Sequence, residues 1–220
     1  MKTLTLITFI LFTGTSGKPI VTDHNPEKAY TMRQIIQQLD SHLKQNAPEL
    51  YSTLKPPLTN AQIDALEVQH SIKLPADVRE IYLWKNGQDE ESYKSLYGNK
   101  TFLSLEQALE ARDFLNEELF AKTPEDQFKI KNWWNKDWIP LFSNGGGDYV
   151  CYDPVGIFTN KPGQIIDYYH DEYYRMVSAP SLAAHLQAVL MVFEKKYEDE
   201  WDSIKEIDKG YPKRFALDKN

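Results

Sequence analysis

A glycine-rich run followed by an acid, Gly145–Asp148, is the first segment whose composition suggests chemistry. A phosphate-binding loop would continue with a lysine that reaches the phosphates and a hydroxyl that binds magnesium, and neither follows here. A dinucleotide-binding turn would lead into a helix, whereas Tyr149 and Val150 begin an apolar, strand-like run. The segment therefore predicts a tight hairpin turn and no nucleotide site.

The histidines give little support for a metal site. His170-Asp171-Glu172 has the His-x-Glu pattern of a zinc deaminase, which also needs a downstream Pro-Cys-x-x-Cys pair, and the single cysteine, Cys151, lies upstream. The five histidines, at positions 24, 42, 70, 170 and 185, lack the spacing of a metal-binding motif. We therefore expect neither a metal ion nor another cofactor.

The residues that often act as nucleophiles or acid/base groups also lack a suitable context. A serine hydrolase would need Gly-x-Ser-x-Gly at a strand-to-helix turn, and the sequence has none. Cys151 lies inside an apolar run, which favours a packed side chain over a reactive thiolate. Asp148 and Asp153 flank that run and form the only acid/base pair we consider, although acids at strand ends mostly bind turn amides. The chain is therefore predicted not to be an enzyme, with a hydrolase as the least favoured alternative.

Aromatic residues provide a more informative pattern. Two groups stand out, and together they form the predicted partner-binding surface: Trp133, Trp134, Tyr168, Tyr169, Tyr173 and Tyr174. Trp138 follows the first group, and adjacent side chains point in different directions on either a strand or a helix, so some of these rings should be exposed. Exposed tryptophan and tyrosine are favoured at the centres of protein interfaces. The alternative is that these rings cover the core of the sheet.

Composition and charge narrow the class of partner. The 220 residues contain 32 acids and 25 bases, with a formal charge of −7, and no basic block. This balance argues against nucleic-acid binding through phosphates and suits a basic protein partner. Two acidic stretches, at residues 89–91 and 198–200, are expected either to be solvated or to steer such a partner.

The N-terminus has the shape of a secretory signal. Lys2 precedes an apolar stretch at Leu4–Phe12, and small residues allow cleavage after Gly17. The stretch is too short to span a bilayer, so no membrane span is expected after cleavage. We expect an exported chain if residues 1–17 are a true signal, and a cytoplasmic one if the start is misplaced. The rest of the chain is predicted to form a single domain at residues 18–200, followed by a polar tail at residues 201–220 that ends in a flexible segment.

The elements that position these residues follow from the hydrophobic pattern. A first helix is expected from Asn25-Pro26, and further helices from Thr59, Leu74-Pro75, Ser104 and Ser181. Asn86-Gly87 is predicted to close the third with a left-handed cap. Short strands are predicted at residues 138–142, 149–152, 164–168 and 173–177. Helices, then a strand meander, then a closing helix indicate an α+β fold, with a mostly antiparallel sheet of short strands packed against N-terminal, middle and C-terminal helices.

Several short motifs follow one another along residues 50–195. They are Leu54–Thr59, Leu74–Asp77, Asn86-Gly87, Leu103–Glu106, Trp138–Pro140, Asp153-Pro154, Gly163–Ile166 and the helix that begins at Ser181. This series resembles the SUKH superfamily, which includes the yeast cell-wall assembly regulators and bacterial immunity proteins of polymorphic toxin systems. The resemblance implies an α+β fold that binds other proteins and has no known catalytic centre.

The sequence thus predicts a non-enzymatic protein-binding module. The favoured interpretation is an immunity-type protein that neutralises a cognate toxin by stoichiometric binding. The alternative is a regulatory scaffold that binds an envelope-assembly factor, like the yeast regulators. The sequence leaves open the identity of the partner, the oligomeric state and the binding face.

Overall fold

The computed structural model describes residues 31–89, 94–121 and 130–217. The signal predicted at residues 1–17, the helix start at Asn25-Pro26, and Glu90 and Glu91 of the first acidic stretch lie outside these ranges. Within them, every helix is too short or too polar to cross a membrane.

In the described part of the chain, six strands form one antiparallel sheet in the order β1-β2-β3-β4-β5-β6. Their bounds are Thr101–Phe102, Ile139–Ser143, Tyr149–Asp153, Gln164–Tyr168, Tyr174–Ala179 and Lys213–Ala216. The four predicted strands correspond to β2 to β5, and β4 has the predicted bounds. The Gly145–Asp148 segment is the predicted hairpin turn, since it joins β2 to β3.

Seven α-helices accompany the sheet in the described ranges, and the α+β prediction is confirmed. They are α1 Met32–Asn46, α2 Pro48–Ser52, α3 Asn60–Gln69, α4 Ala76–Trp84, α5 Leu105–Asn116, α6 Leu182–Phe193 and α7 Glu200–Ile207, with a short π-helical turn at Glu117–Ala121 after α5. Thr59 and Ser104 form the predicted capping boxes. A third box at Thr31 caps α1, because the Gln34 side chain accepts the Thr31 backbone N–H in return.

The sheet has two differently covered faces. Register places Phe102, Phe142, Val150 and Asp167 side by side on one face, the helix face. There Phe142 lies 5.8 Å from the His185 ring of α6, and Phe102 stacks on a tyrosine of α4 at 5.5 Å. On the opposite face, the loop face, Tyr168, Arg175 and Phe215 contact Trp134, Trp133 and Phe158, which lie in segments without regular structure.

Two sequence predictions are corrected. Asn86-Gly87 does not cap α4, since the helix closes at Lys85 in extended backbone. Instead, the Asn86 amide oxygen accepts the backbone N–H of Leu105, the first residue of α5, whose N-cap is Ser104. Gly87 has φ +81°, and a Cβ there would lie 2.4 Å from the Ser104 nitrogen. This contact, rather than the end of α4, requires glycine.

The chain after residue 200 is not the polar tail that was predicted. It contributes α7, which packs on α6 through buried Ile204, and β6, which pairs with β5. Ser203 donates to the Ala188 carbonyl of α6 at 3.1 Å. The segment reads as polar because α7 buries only one narrow side and β6 is an edge strand.

Candidate functional site at the turn end of the sheet

Three segments meet at one end of the sheet, which we call the turn end: residues 130–135, 144–148 and 169–173. The β2–β3 and β4–β5 turns lie there together because Ser143 pairs with Tyr149 and Tyr149 pairs with Tyr168. The 130–135 segment covers the adjoining loop face, where it is held by Arg175 of β5. Loops on a fixed sheet are a common location for binding residues.

The buried side chain of Arg175 binds the backbone of the turn end. Its side chain is fully buried and donates to the backbone carbonyls of Trp133 (2.6 Å), Glu172 (2.9 Å) and Tyr174 (2.6 Å). The guanidinium also lies over the rings of Trp133, at 4.8 Å, and Tyr168, at 4.5 Å. Burial lowers the pKa of Arg175 to about 10, so the group stays charged at neutral pH. A single cation therefore joins the loop to both ends of the β4–β5 turn.

Two of the six predicted interface residues lie in the core. Trp134 and Tyr168 are buried, and their rings meet edge to face at 5.3 Å. Trp134 also contacts Trp138 at 5.5 Å and donates its indole N–H to Asn116 at 2.7 Å. These two rings therefore cover the core of the sheet, as the alternative interpretation predicted.

Trp133 and Tyr173 form the exposed part of the aromatic group. Their rings meet edge to face at 5.6 Å, and Tyr173 is 52% exposed while Trp133 is half-buried. Because Arg175 binds the Trp133 carbonyl and lies over its ring, the pair sits on an ordered support. We call it the aromatic pair.

Tyr169 and Tyr174 belong to the other face of the sheet. Their rings lie 5.6 Å apart, and the Arg214 guanidinium lies 3.8 Å from the Tyr174 ring centre. Burial and the neighbouring Asp167 carboxyl raise the pKa of the Tyr169 hydroxyl. The six predicted residues are therefore divided between two faces and do not form one continuous surface.

The turn end also joins an aspartate to a histidine. His170 Nδ1 lies 2.8 Å from Asp148 Oδ1, which also accepts the His170 backbone N–H at 3.1 Å. Asn144 donates to the other Asp148 oxygen at 2.8 Å. Partial burial opposes ionisation of Asp148, but these bonds outweigh it and lower its pKa, while the Asp148 bond raises the pKa of His170. A Cβ at Gly147 (φ +103°) would lie 3.1 Å from the His170 ring, so this glycine lets the turns meet.

The acid/base pair considered for a hydrolase is not assembled. Asp148 and Asp153 lie at opposite ends of β3, about 17 Å apart at the usual rise per strand residue. Asp153 is buried and accepts the backbone N–H groups of Val155, Gly156 and Ile157. It therefore fixes the β3–β4 turn, as acids at strand ends commonly do.

Cys151 matches its predicted packed position. The side chain is fully buried on β3, and burial raises the pKa of its thiol well above the usual value. A thiol in this state is a poor nucleophile at neutral pH.

Two shallow grooves lie beside α1, away from the turn end. One, of about 400 Å³, is lined mainly by amide and hydroxyl side chains of α1; the other, of about 530 Å³, lies at the α1–α2 junction. The predicted aromatic residues line neither groove. Because Tyr173 is 52% exposed, the surface built on the aromatic pair is accessible to a partner.

Sequence reasoning missed Arg175 and Asp167 as organising residues. Each lies in a strand whose neighbours are apolar or aromatic, and each is at least 99% buried. Period-2 alternation places Arg175 on the same face as Val177, and Asp167 on the same face as Ile165. The signal in the sequence that could have identified both residues is a charged residue at a strand position whose alternation predicts that it faces the core.

Comparison with known proteins identifies the domain. The sequence profile of the SMI1 / KNR4 family (SUKH-1) matches residues 57–188, which is more than half of the chain. A search of curated proteins with this chain found no match. The matched segment runs from just before α3 into α6 and contains the whole turn end, whereas α1, α2, α7 and β6 lie outside it. The chain belongs to the SMI1 / KNR4 family (SUKH-1).

Proposed function

We propose that this chain is a protein-binding module of the immunity type, which neutralises a cognate toxin by stoichiometric binding at the turn end. The family assignment supports a non-catalytic domain. The observation that carries the proposal is the aromatic pair, a partly exposed Trp–Tyr contact held on a buried arginine.

Rigid aromatic side chains suit this role for an energetic reason. Ordering a flexible side chain at an interface costs about 0.5–1.5 kcal/mol, and a ring that is already fixed avoids much of this cost. Arg175 fixes the Trp133 backbone and ring before any partner arrives. A partner that covers Tyr173 then gains buried apolar area at little conformational cost.

Charge supplies the second part of the mechanism. Asp171 and Glu172 are exposed beside Tyr173, and the whole chain is acidic. An acidic surface speeds association with a basic partner, and the gain decreases with added salt. In this mechanism the aromatic pair holds the partner and the acids steer it, so that a basic active site is covered without any bond being made or broken.

The test starts from co-purification in the native host, with mass-spectrometric identification of the bound protein. Tyr173→Ala should then weaken that complex by about 2 kcal/mol, or roughly 30-fold, as hot-spot residues do. Val155→Ala is the control, because Val155 is an exposed apolar side chain, 46% exposed, in the β3–β4 turn at the opposite end of the sheet. It should leave affinity within about threefold. Equal effects of the two substitutions, or no protection when cells are challenged with the captured protein, would refute the proposal.

The regulatory-scaffold alternative draws on the signal-like sequence of residues 1–17, which favours a role at the envelope. Gene context and phenotype separate the two functions. A toxin gene beside this one supports immunity. Sensitivity of a deletion strain to wall stress, with no toxin neighbour, supports the scaffold.

A further inference from the structure

We propose that Asp148, His170 and Asp171 form a binding site for a divalent transition-metal ion of the zinc class. Ligand atoms of the three side chains lie within 4.8 Å of one another, with His170 Nδ1 at 2.8 Å from Asp148 Oδ1 and 4.0 Å from Asp171 Oδ1. The site goes beyond the proposed protein-binding function and does not depend on it.

The spacing fits a single ion. An ion placed between three atoms with these separations lies about 2.0–2.5 Å from each, close to the ~2.0–2.2 Å of zinc–nitrogen and zinc–oxygen bonds. Adjustments of a few tenths of an ångström are within reach of the side chains, because His170 and Asp171 are exposed at the surface.

The donor set selects the class of metal. An imidazole nitrogen with two carboxylate oxygens suits zinc and similar ions, whereas calcium and magnesium prefer oxygen ligands alone. Three protein ligands leave at least one coordination position to water, because a zinc ion usually takes four ligands.

The surrounding groups orient the ligands. Asn144 donates to the Asp148 oxygen that does not contact His170, and so fixes the plane of the carboxylate. The His170 backbone N–H donates to Asp148, which joins the two turns before an ion arrives. Asp148 is the least exposed of the three ligands, which limits its freedom further.

Binding of the ion replaces the direct contact between His170 Nδ1 and Asp148 Oδ1 with a bond from each atom to the metal. A bound ion also ties the β2–β3 turn to the β4–β5 turn, which stabilises the folded chain.

The test uses the untagged chain, stripped with a chelator and titrated with zinc by calorimetry and with cobalt by visible absorption. We expect one saturable site of micromolar or better affinity. His170→Ala and Asp148→Asn should each weaken it at least tenfold. His42→Ala, which removes a histidine of α1 that is not part of this cluster, should not.

Two results would overturn the site. One is the absence of saturable zinc binding up to about 1 mM, which corresponds to a binding free energy of only about −4 kcal/mol. The other is equal affinity in His170→Ala and the parent chain, which would mark the zinc as adventitious. Unchanged circular dichroism of His170→Ala without metal confirms that its loss of binding is not a loss of fold.

Discussion

Replacing Asp167 with asparagine should stabilise the protein at neutral pH. Asp167 lies on β4 with 1% of its surface exposed, and accepts the Ser178 hydroxyl at 3.2 Å. Burial, with a contribution from Glu200, raises its pKa from 3.8 to about 6, although Lys100 and the Ser178 bond act in the other direction. The native fold therefore keeps an ionised carboxyl in an unfavourable environment at pH 7.

The sign and size of the effect follow from this pKa. Because Asp167 holds its proton more tightly in the folded state, its contribution to stability is complete below pH 3.8 and is lost as the pH rises through 6. A shift of about two units corresponds to about 3 kcal/mol, at ~1.4 kcal/mol per unit. An asparagine side chain at this position would keep the shape and the oxygen that accepts from Ser178, so Asp167→Asn should gain up to about 3 kcal/mol above pH 6 and little at pH 4.

Urea unfolding, followed by tryptophan fluorescence from pH 4 to pH 8, measures this gain. Asp202→Asn is the control, because Asp202 is an exposed carboxyl on α7 paired with Lys205, and it should change stability by less than about 1 kcal/mol. A difference between Asp167→Asn and the parent that stays constant from pH 4 to pH 8 would refute the reasoning. So would a variant that is less stable at pH 7, since both imply that water or a cation already compensates the carboxylate.

Three further substitutions test other parts of the fold. His185 is a buried ring, and burial lowers its pKa to about 3. The parent protein therefore loses stability as the pH falls from 6.5 toward 3, and His185→Leu does not. In acid unfolding scans, the free energy of unfolding of the variant relative to the parent should rise by up to about 1.4 kcal/mol per pH unit over this range. Glu67→Gln weakens a buried contact to Arg79 and should cost about 2–3 kcal/mol at pH 7 by urea titration, and less below pH 4, where the lowered pKa of Glu67 is approached. Gly87→Ala should cost at least about 2 kcal/mol of unfolding free energy, whereas Gly98→Ala, with open space at its Cβ, should cost about 1 kcal/mol; equal losses would contradict the clash.

Local signals in the sequence were enough for most of the elements. The capping boxes at Thr59 and Ser104 are contained in four residues each, and the strand runs are bounded by turn residues. These features depend on neighbours along the chain, so they can be read without the tertiary structure. The C-terminal strand could not be read in this way, because β6 is stabilised by pairing with β5, about 40 residues earlier in the chain.

The candidate site depended on contacts that the sequence does not display. Asp148 and His170 are 22 residues apart, and the antiparallel pairing of β3 with β4 brings their turns together. Strand alternation divides the six predicted aromatic residues between the two faces, because Tyr168 and Tyr169 are sequence neighbours, as are Tyr173 and Tyr174. Arg175 binds backbone carbonyls, and because every residue has one, the sequence does not indicate which of them accept its hydrogen bonds.

An element outside the family match contributes to the environment of a buried carboxyl inside it. Asp167 lies within residues 57–188, yet two of the groups that act on it, Glu200 and Trp201, come from α7. Glu200 also acts on Tyr97, whose pKa is raised by burial. The C-terminal segment thus contributes to the electrostatics of the helix face, while the turn end lies wholly within the matched part. Stability effects at Asp167 and binding effects at Tyr173 should therefore be separable, because the two residues lie on opposite faces of the sheet.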